Sequence, residues 1–313
     1  MDLNGLPTRR KRRAIVLSGG DGERMQPFVR RWLGERRPKQ YCAFDGQRTM
    51  LEHALERASR AVGAERVLCV INEDHRPYLR SPRPIEVPGR LLVQPLRRDT
   101  GPGVFLPLAA ALASDPEAVV AVLPSDHCIR PVEGFLLVLE EAFALAECLP
   151  GYLIMLAAEP DAPEPDYGWI EPGLPLYGSR ASLARRFKEK PCPREAERLY
   201  RQGCLWNTMM VVAGAAGLWE LGRTLCPEMM IHFRELLPRL GTDDEESAIA
   251  AAYRDMPSVN FSRHILERAC DWTVVLPMTG VRWSDWGRPE RVCRDIPLPV
   301  PLLGEAKVLH APS

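Results

Sequence analysis

Three groups of residues in this sequence have types and spacing that suit phosphate chemistry. The first is Gly19-Gly20-Asp21-Gly22-Glu23-Arg24, with Pro27 just beyond. Glycines let backbone N–H groups approach an anion closely, and Arg24 adds a cation. Two common nucleotide loops do not fit. A P-loop needs Gly-Lys-Ser/Thr, and the chain has no Gly-Lys pair. A dinucleotide fingerprint needs a third glycine where Met25 stands. A tight strand-to-helix turn is the plain alternative. The second group is Arg37-Pro38-Lys39-Gln40, a proline-stiffened turn that can present Lys39 to a triphosphate. The third is a pair of carboxylates. Asp126 ends an apolar run, at the mouth of a strand, where it suits Mg²⁺ or caps the next segment. Asp285 lies between Trp283 and Trp286, and a carboxylate in such semi-buried surroundings needs a partner. His127 reads as a hydrogen-bonded structural histidine, and no zinc spacing occurs.

Composition narrows the field. The 313 residues are 46% hydrophobic and 26% charged, as in ordinary folded proteins. Lys+Arg and Asp+Glu are both 41, and zero net charge argues against a general nucleic-acid binder. Only Lys11, Lys39, Lys188, Lys190 and Lys307 are lysines; every other basic residue is arginine, as a codon bias would produce. Where such a chain keeps lysine, a compact point charge is expected. Lys188-Glu189-Lys190-Pro191 holds two of the five and reads as an anion contact or a solvated turn. The nine cysteines form no CxxC pair, no apolar segment after the first basic residues has the length expected of a signal peptide, and no apolar stretch reaches membrane-spanning length. A cytoplasmic location with reduced thiols is expected. The basic run Arg9 to Arg13 reads as a solvated arm.

Short apolar runs alternating with helical patterns must position these groups. Ala14–Leu17, Val67–Ile71, Leu91–Val93, Val119–Leu123, Tyr152–Ala157 and Trp272–Leu276 read as strands. Thr49-Met50-Leu51-Glu52 is a capping box opening a helix, and Pro102 suits the first helical position of another running to about Ala113. Residues 133–148, 193–203 and 214–225 read as helices, 228–256 as two more around Gly241, and 159–178 as a long loop with short strands. The tail from Arg294 is proline-rich and reads as extended. The simplest organisation is a single domain over 1–313, with a core at 13–290 and a tail at 291–313. In open α/β sheets ligands bind at the carboxyl ends of strands, which selects the glycine loop and Asp126 together.

Eight segments in order resemble the sugar-1-phosphate nucleotidyltransferase family, most closely its mannose-1-phosphate guanylyltransferase branch. They are Val16–Arg24, Arg37–Tyr41, Arg98–Gly103, Leu123–His127, Tyr167–Glu171, Phe187–Pro191, Leu205–Thr208 and Trp283–Gly287. The resemblance implies a GT-A-like, Rossmann-related α/β fold, a mixed sheet flanked by helices. It implies Mg²⁺-dependent transfer of a nucleotidyl group from a nucleoside triphosphate, GTP first, to a sugar 1-phosphate, mannose 1-phosphate first. It also implies roles. Gly19, Gly20, Gly22 and Arg24 would hold the triphosphate, Lys39 would neutralise charge, and Asp126 and Asp285 would hold Mg²⁺. Lys190 would bind the sugar phosphate, Gly168, Glu171 and Asn207 would line the sugar subsite, and Arg98, Asp99 and Thr100 the nucleotide side. The family loop usually reads Gly-Gly-Ser-Gly-Thr-Arg, so Asp21 and Glu23 bring carboxylates beside a triphosphate and must face away or help hold the metal. Asn260-Phe261-Ser262 stands where the family often has Ser-Ile-Asp. UTP or dTTP with glucose 1-phosphate, and a non-catalytic regulatory homologue, stay open as alternatives. A nicotinamide-dependent oxidoreductase fits poorly for want of the third glycine. Neither nucleic acid nor membrane is expected as a partner, and self-association is left open.

Overall fold

The structure, a computed structural model, describes residues 11–80 and 83–296. Its first half is built from four strands whose residues are apolar on both faces, as strands covered on two sides must be. β1 (Arg12–Ser18) lies between β2 (Val67–Asn72) and β4 (Val119–Pro124), and β3 (Arg90–Gln94) extends the sheet beyond β2, all parallel. Alternation divides them: Ile15, Val120 and Val122 face one core, while Ala14, Val16, Ala121 and Leu123 face the other. α1 (Gln26–Leu33), α2 (Met50–Val62) and α3 (Thr100–Ser114) are the first helices. The Thr49–Glu52 capping box forms as expected at the start of α2.

The short β5 (Cys128–Arg130) and α4 (Val132–Cys148) follow β4, and β6 (Leu153–Ala158) returns to the sheet. β7 (Trp169–Pro175) is a strand within 159–178, the segment expected to be a long loop with short strands, and β8 (Ser182–Lys188) pairs antiparallel with it. After α5 (Pro193–Arg201), β9 (Leu205–Gly214) inserts antiparallel between β4 and β6. α6 (Ala215–Leu225), α7 (Pro227–Leu236), α8 (Glu245–Asp255) and the single turn α9 (Phe261–His264) precede β10 (Thr273–Pro277), which is parallel to β6. The nine-stranded order is β3-β2-β1-β4-β9-β6-β10-β8-β7, a mixed sheet with helices on both faces, as the resemblance implied. β11 (Arg282–Ser284) pairs with β5 as a separate ribbon, and α10 (Pro289–Asp295) follows it.

Three expectations need correction. Pro289 opens α10, so the chain at Arg294 is helical to Asp295 rather than extended; the rest of the proline-rich tail lies outside the described residues. Asp99 caps α3, which begins at Thr100, so Pro102 is its third residue. Arg12 is not part of a solvated arm. It is 3% exposed in β1, its guanidinium pairs with Glu147 (2.7 Å) and Glu140 (2.7 Å), and it lies over the Phe143 ring. Arg9 and Arg10 lie outside the described residues. No helix among the described residues is long and apolar enough to cross a membrane.

Candidate active site

A cleft of about 570 Å³ opens at the carboxyl ends of the first four strands. The glycine loop leaves β1 along its floor. Three side-chain amides fix that loop. Gln40 Nε2 donates to the carbonyls of Gly20 (2.7 Å) and Ser18 (3.2 Å), Asn72 Nδ2 to Gly19 (2.6 Å), and Gln26 Nε2 to Asp21 (2.9 Å). In a trans peptide the N–H lies opposite the carbonyl. The N–H groups of residues 19–22 therefore point away from these amides. Gly22 has φ +60°, a conformation that favours glycine, and a Cβ there would press on Lys39 Cβ at 3.2 Å.

Lys39 is the centre of the site. It is 3% exposed, its Nζ lies 2.9 Å from Asp126 Oδ2, and it also donates to the carbonyl oxygen of Asp285. One buried ammonium thus joins the end of β4 to the turn after β11. Burial pushes the Asp126 carboxyl up, but Lys39 and His127 outweigh it and the net direction is down. Burial raises Asp285 as well. Lys39, Arg291, the Gly287 N–H and the Tyr167 hydroxyl together bring it down to about 2. Both carboxylates are therefore ionised at neutral pH. They line one cleft and repel each other, a donor set that suits a hard divalent cation sharing phosphate oxygens.

The tryptophans around Asp285 are buried as expected, and its partners are Tyr167 and Arg291. His127 has the structural role expected: Trp283 Nε1 donates to its Nδ1 (3.2 Å), and burial holds it down at about 4. Arg24 reaches toward Asp285 (3.6 Å) and Asp166 (3.7 Å) from a side chain that is 59% exposed. The loop carboxylates are accommodated differently. Asp21 pairs with Arg97 and, through its other oxygen, with His75 (3.3 Å), while Glu23 is exposed. Asp21, Asp74 and His75 lie close enough to share an ion, but Arg97 pairs with both carboxylates there.

The remaining expected residues fall into two sets. Arg98, Asp99 and Thr100 line the cleft, yet their side chains serve the fold. The Arg98 guanidinium donates to the carbonyls of Tyr253 (3.1 Å) and Arg254 (2.6 Å) in the last turn of α8. Asp99 Oδ1 accepts from the Thr100 N–H, and Thr100 Oγ1 from the Phe261 N–H. Gly168, Glu171, Lys190 and Asn207 lie outside that cleft lining, which ends on β9 at Met209. The Asn207 N–H donates to the Gly168 carbonyl (2.8 Å), and a Cβ at Gly168 would lie 2.6 Å from Glu189 Oε2. Glu171 pairs with Arg185 (3.1 Å), and Lys190 is exposed. Glu189 was overlooked, although it stands inside the Phe187–Pro191 segment. Its Oε2 is buried with no hydrogen-bond partner among the described residues, and burial pushes its carboxyl up. Gln40 stands inside the Arg37–Tyr41 segment, but Asn72 and Arg97 carried no sequence signal, since only folding brings them to the loop.

Residues 13–293 match the family model described as nucleotidyl transferase. The xanthan biosynthesis protein XanB of Xanthomonas campestris pv. campestris is 30% identical over 278 residues, 87% of this chain and 57% of that protein. The mannose-1-phosphate guanylyltransferase of Escherichia coli K12 is 28% identical over 289 residues, 87% of this chain and 57% of that protein. The chain thus spans little more than half the length of these curated relatives. A crystal structure from Thermus thermophilus, named as a mannose-1-phosphate geranyltransferase, aligns with TM-score 0.73 at 32% identity, covering 92% of this chain and 80% of that one. A Helicobacter pylori structure named as mannose-6-phosphate isomerase, at 21% identity and TM-score 0.67, covers 88% of this chain and 99% of that one and shares the fold.

Proposed function

Since the chain belongs to the nucleotidyl transferase family, we propose that it joins a nucleoside triphosphate, GTP first, to a sugar 1-phosphate, mannose 1-phosphate first, with release of pyrophosphate. The observation that carries this reading is the Lys39 bridge between Asp126 and the Asp285 turn, set beside a glycine loop whose carbonyls are tied back. We take residues 1–313 as one catalytic domain acting in the cytoplasm; all nine cysteines are unpaired, which agrees with reduced surroundings.

An oxygen of the sugar phosphate attacks the α-phosphorus. A new P–O bond forms, the bond to the β-phosphate oxygen breaks, and pyrophosphate departs with that electron pair. The nucleophile is already an anion, so the protein needs no strong base; it supplies position and charge. The N–H groups of Gly19, Gly20 and Gly22 and the Arg24 guanidinium cradle the triphosphate. Arg24, held among the described residues by ion pairs of 3.6 and 3.7 Å, turns toward it. Lys39 offsets charge growing on the phosphates. Asp126 and Asp285 would hold Mg²⁺, which when bound neutralises phosphate charge as a Lewis acid. Lys190 binds the sugar phosphate. Gly168, Glu171 and Asn207, together with Glu189, line the sugar subsite, and the backbone from Arg98 to Thr100 lines the nucleotide side.

The test is pyrophosphate release with Mg²⁺ across a matrix of nucleoside triphosphates and sugar 1-phosphates. A maximum at GTP with mannose 1-phosphate is expected. A maximum at UTP or dTTP with glucose 1-phosphate keeps the chemistry and moves the specificity. Nucleotide binding with no release in any pairing would overturn the reading in favour of a regulatory homologue.

A further inference from the structure

One buried cation in the site has no part in the scheme above. Arg291, on α10, is 8% exposed. Its Nη1 donates to Asp285 Oδ1 (2.5 Å), its Nη2 lies 2.8 Å from Glu164 Oε2, and its guanidinium carbon sits 4.4 Å from the centre of the Tyr167 ring. The same Asp285 oxygen accepts from the Tyr167 hydroxyl (2.8 Å) and the Gly287 N–H (2.8 Å). Three donors exhaust the acceptor capacity of one carboxylate oxygen. The other oxygen, Oδ2, faces only Arg24 in the described contacts, at 3.6 Å and beyond hydrogen-bond length. Gly287 keeps that side open: a Cβ there would lie 2.4 Å from Oδ2 and 3.0 Å from Arg24 Nη2. The two oxygens of one carboxylate therefore have opposite surroundings, one saturated and one bare.

We propose that Arg291 is a positioning residue that locks Oδ1 of Asp285 to α10 and so presents Oδ2 to the divalent cation. The inference rests on the reading of Asp285 as a cation ligand. A bare positive charge beside that ligand would repel a cation, but Arg291 is shared with Glu164, and Arg288 is paired with Asp166 (2.5 Å), so orientation outweighs repulsion. The planar fork matters as much as the charge. It reaches Asp285 and Glu164 together while stacked on Tyr167, which a lysine ammonium cannot do.

The experiment titrates Mn²⁺ by electron paramagnetic resonance into the full chain with nucleoside triphosphate bound. Arg291→Met is expected to weaken Mn²⁺ binding about 10- to 100-fold, as removal of an outer-shell partner does. Arg291→Lys, the milder variant should Met fail to fold, is expected to weaken it by at least about threefold. Unchanged or tighter Mn²⁺ binding in Arg291→Met, or full affinity in Arg291→Lys, would overturn the proposal. Asp126→Asn separates the two readings. If it weakens Mn²⁺ binding while the Arg291 variants do not, only the positioning role fails. If neither Asp126→Asn nor Asp285→Asn moves Mn²⁺ affinity, the cation site itself is wrong.

Discussion

Replacing Lys39 by methionine keeps the side-chain stem and removes the charge at the centre of the site. Lys39 is 3% exposed and its ammonium lies 2.9 Å from Asp126 Oδ2. At an effective dielectric of about 20, opposite charges at that separation attract by roughly 5–6 kcal/mol, and desolvation of the ammonium offsets much of this. Breaking a buried pair by removing one partner costs about 3–5 kcal/mol. Asp126 is 35% exposed, so water takes over part of its solvation and about 1–3 kcal/mol is expected. At roughly 2–4 °C per kcal/mol this is a clear shift in Tm. The variant also leaves Asp126 and Asp285 without the cation that joins them. Mg²⁺ should then bind without nucleotide and restore part of the lost stability by mass action. Turnover should stay down at least ~100-fold, because the buried ammonium that offsets charge growing on the phosphates is gone. Thermal unfolding in chelator and in millimolar Mg²⁺, beside pyrophosphate release, reads all three effects. A variant as stable as the parent in chelator and indifferent to Mg²⁺ would refute the bridging argument.

Three further outcomes are expected. Arg97→Ala leaves the Asp21 carboxylate without its guanidinium and should raise KM for the triphosphate about tenfold, worth ~1.4 kcal/mol. The double variant Asp21→Ser/Arg97→Ala should return KM to within about threefold of the parent, and additive losses would show that Asp21 is not the repelling group. Lys190→Ala should raise KM for the sugar phosphate more than for the triphosphate, and an unmoved sugar-phosphate KM removes its assigned role. His75 is buried, and burial lowers its pKa below the ordinary 6.5. The unfolded chain then binds more protons, so this residue's contribution to stability is full above pH 6.5 and is lost as pH falls below it. Thermal unfolding against pH should be flatter between pH 7 and 5 in His75→Gln; parallel curves for both proteins would contradict this.

The strands that carry the loops were legible because both their faces are buried. Val67–Ile71 and Val119–Leu123 are unbroken apolar runs of strand length, as strands covered on both faces require. β9 carries no strand signal in the sequence, although it is the longest strand among the described residues and joins the two halves of the sheet. Its first half carries Asn207 and Thr208, and its pairing with β6 is broken by a bulge after Leu156, so no clean alternation shows. The acidic and basic residues of the cleft stood out because an arginine-rich chain keeps lysine rarely and places Asp126 after an apolar strand. What sequence could not reveal is how charges are shared in space. Arg98 reads as a nucleotide contact, and the fold shows that its guanidinium also donates to the last turn of α8. Asp21 reads as repulsive, and its charge is offset by Arg97, a residue far from it in sequence. Arg291 follows no motif; only the fold of α10 against Tyr167 brings it to Asp285.

The central claim is that this cleft moves a nucleotidyl group. The direct measurement follows a label on the α-phosphorus of GTP in the presence of mannose 1-phosphate and Mg²⁺. The label is expected to pass into a nucleotide-sugar, with one pyrophosphate released per label transferred. Asp126→Asn is expected to abolish the transfer while circular dichroism stays unchanged. Label that stays in the triphosphate with every sugar 1-phosphate, or an Asp126→Asn variant that turns over normally, would contradict it.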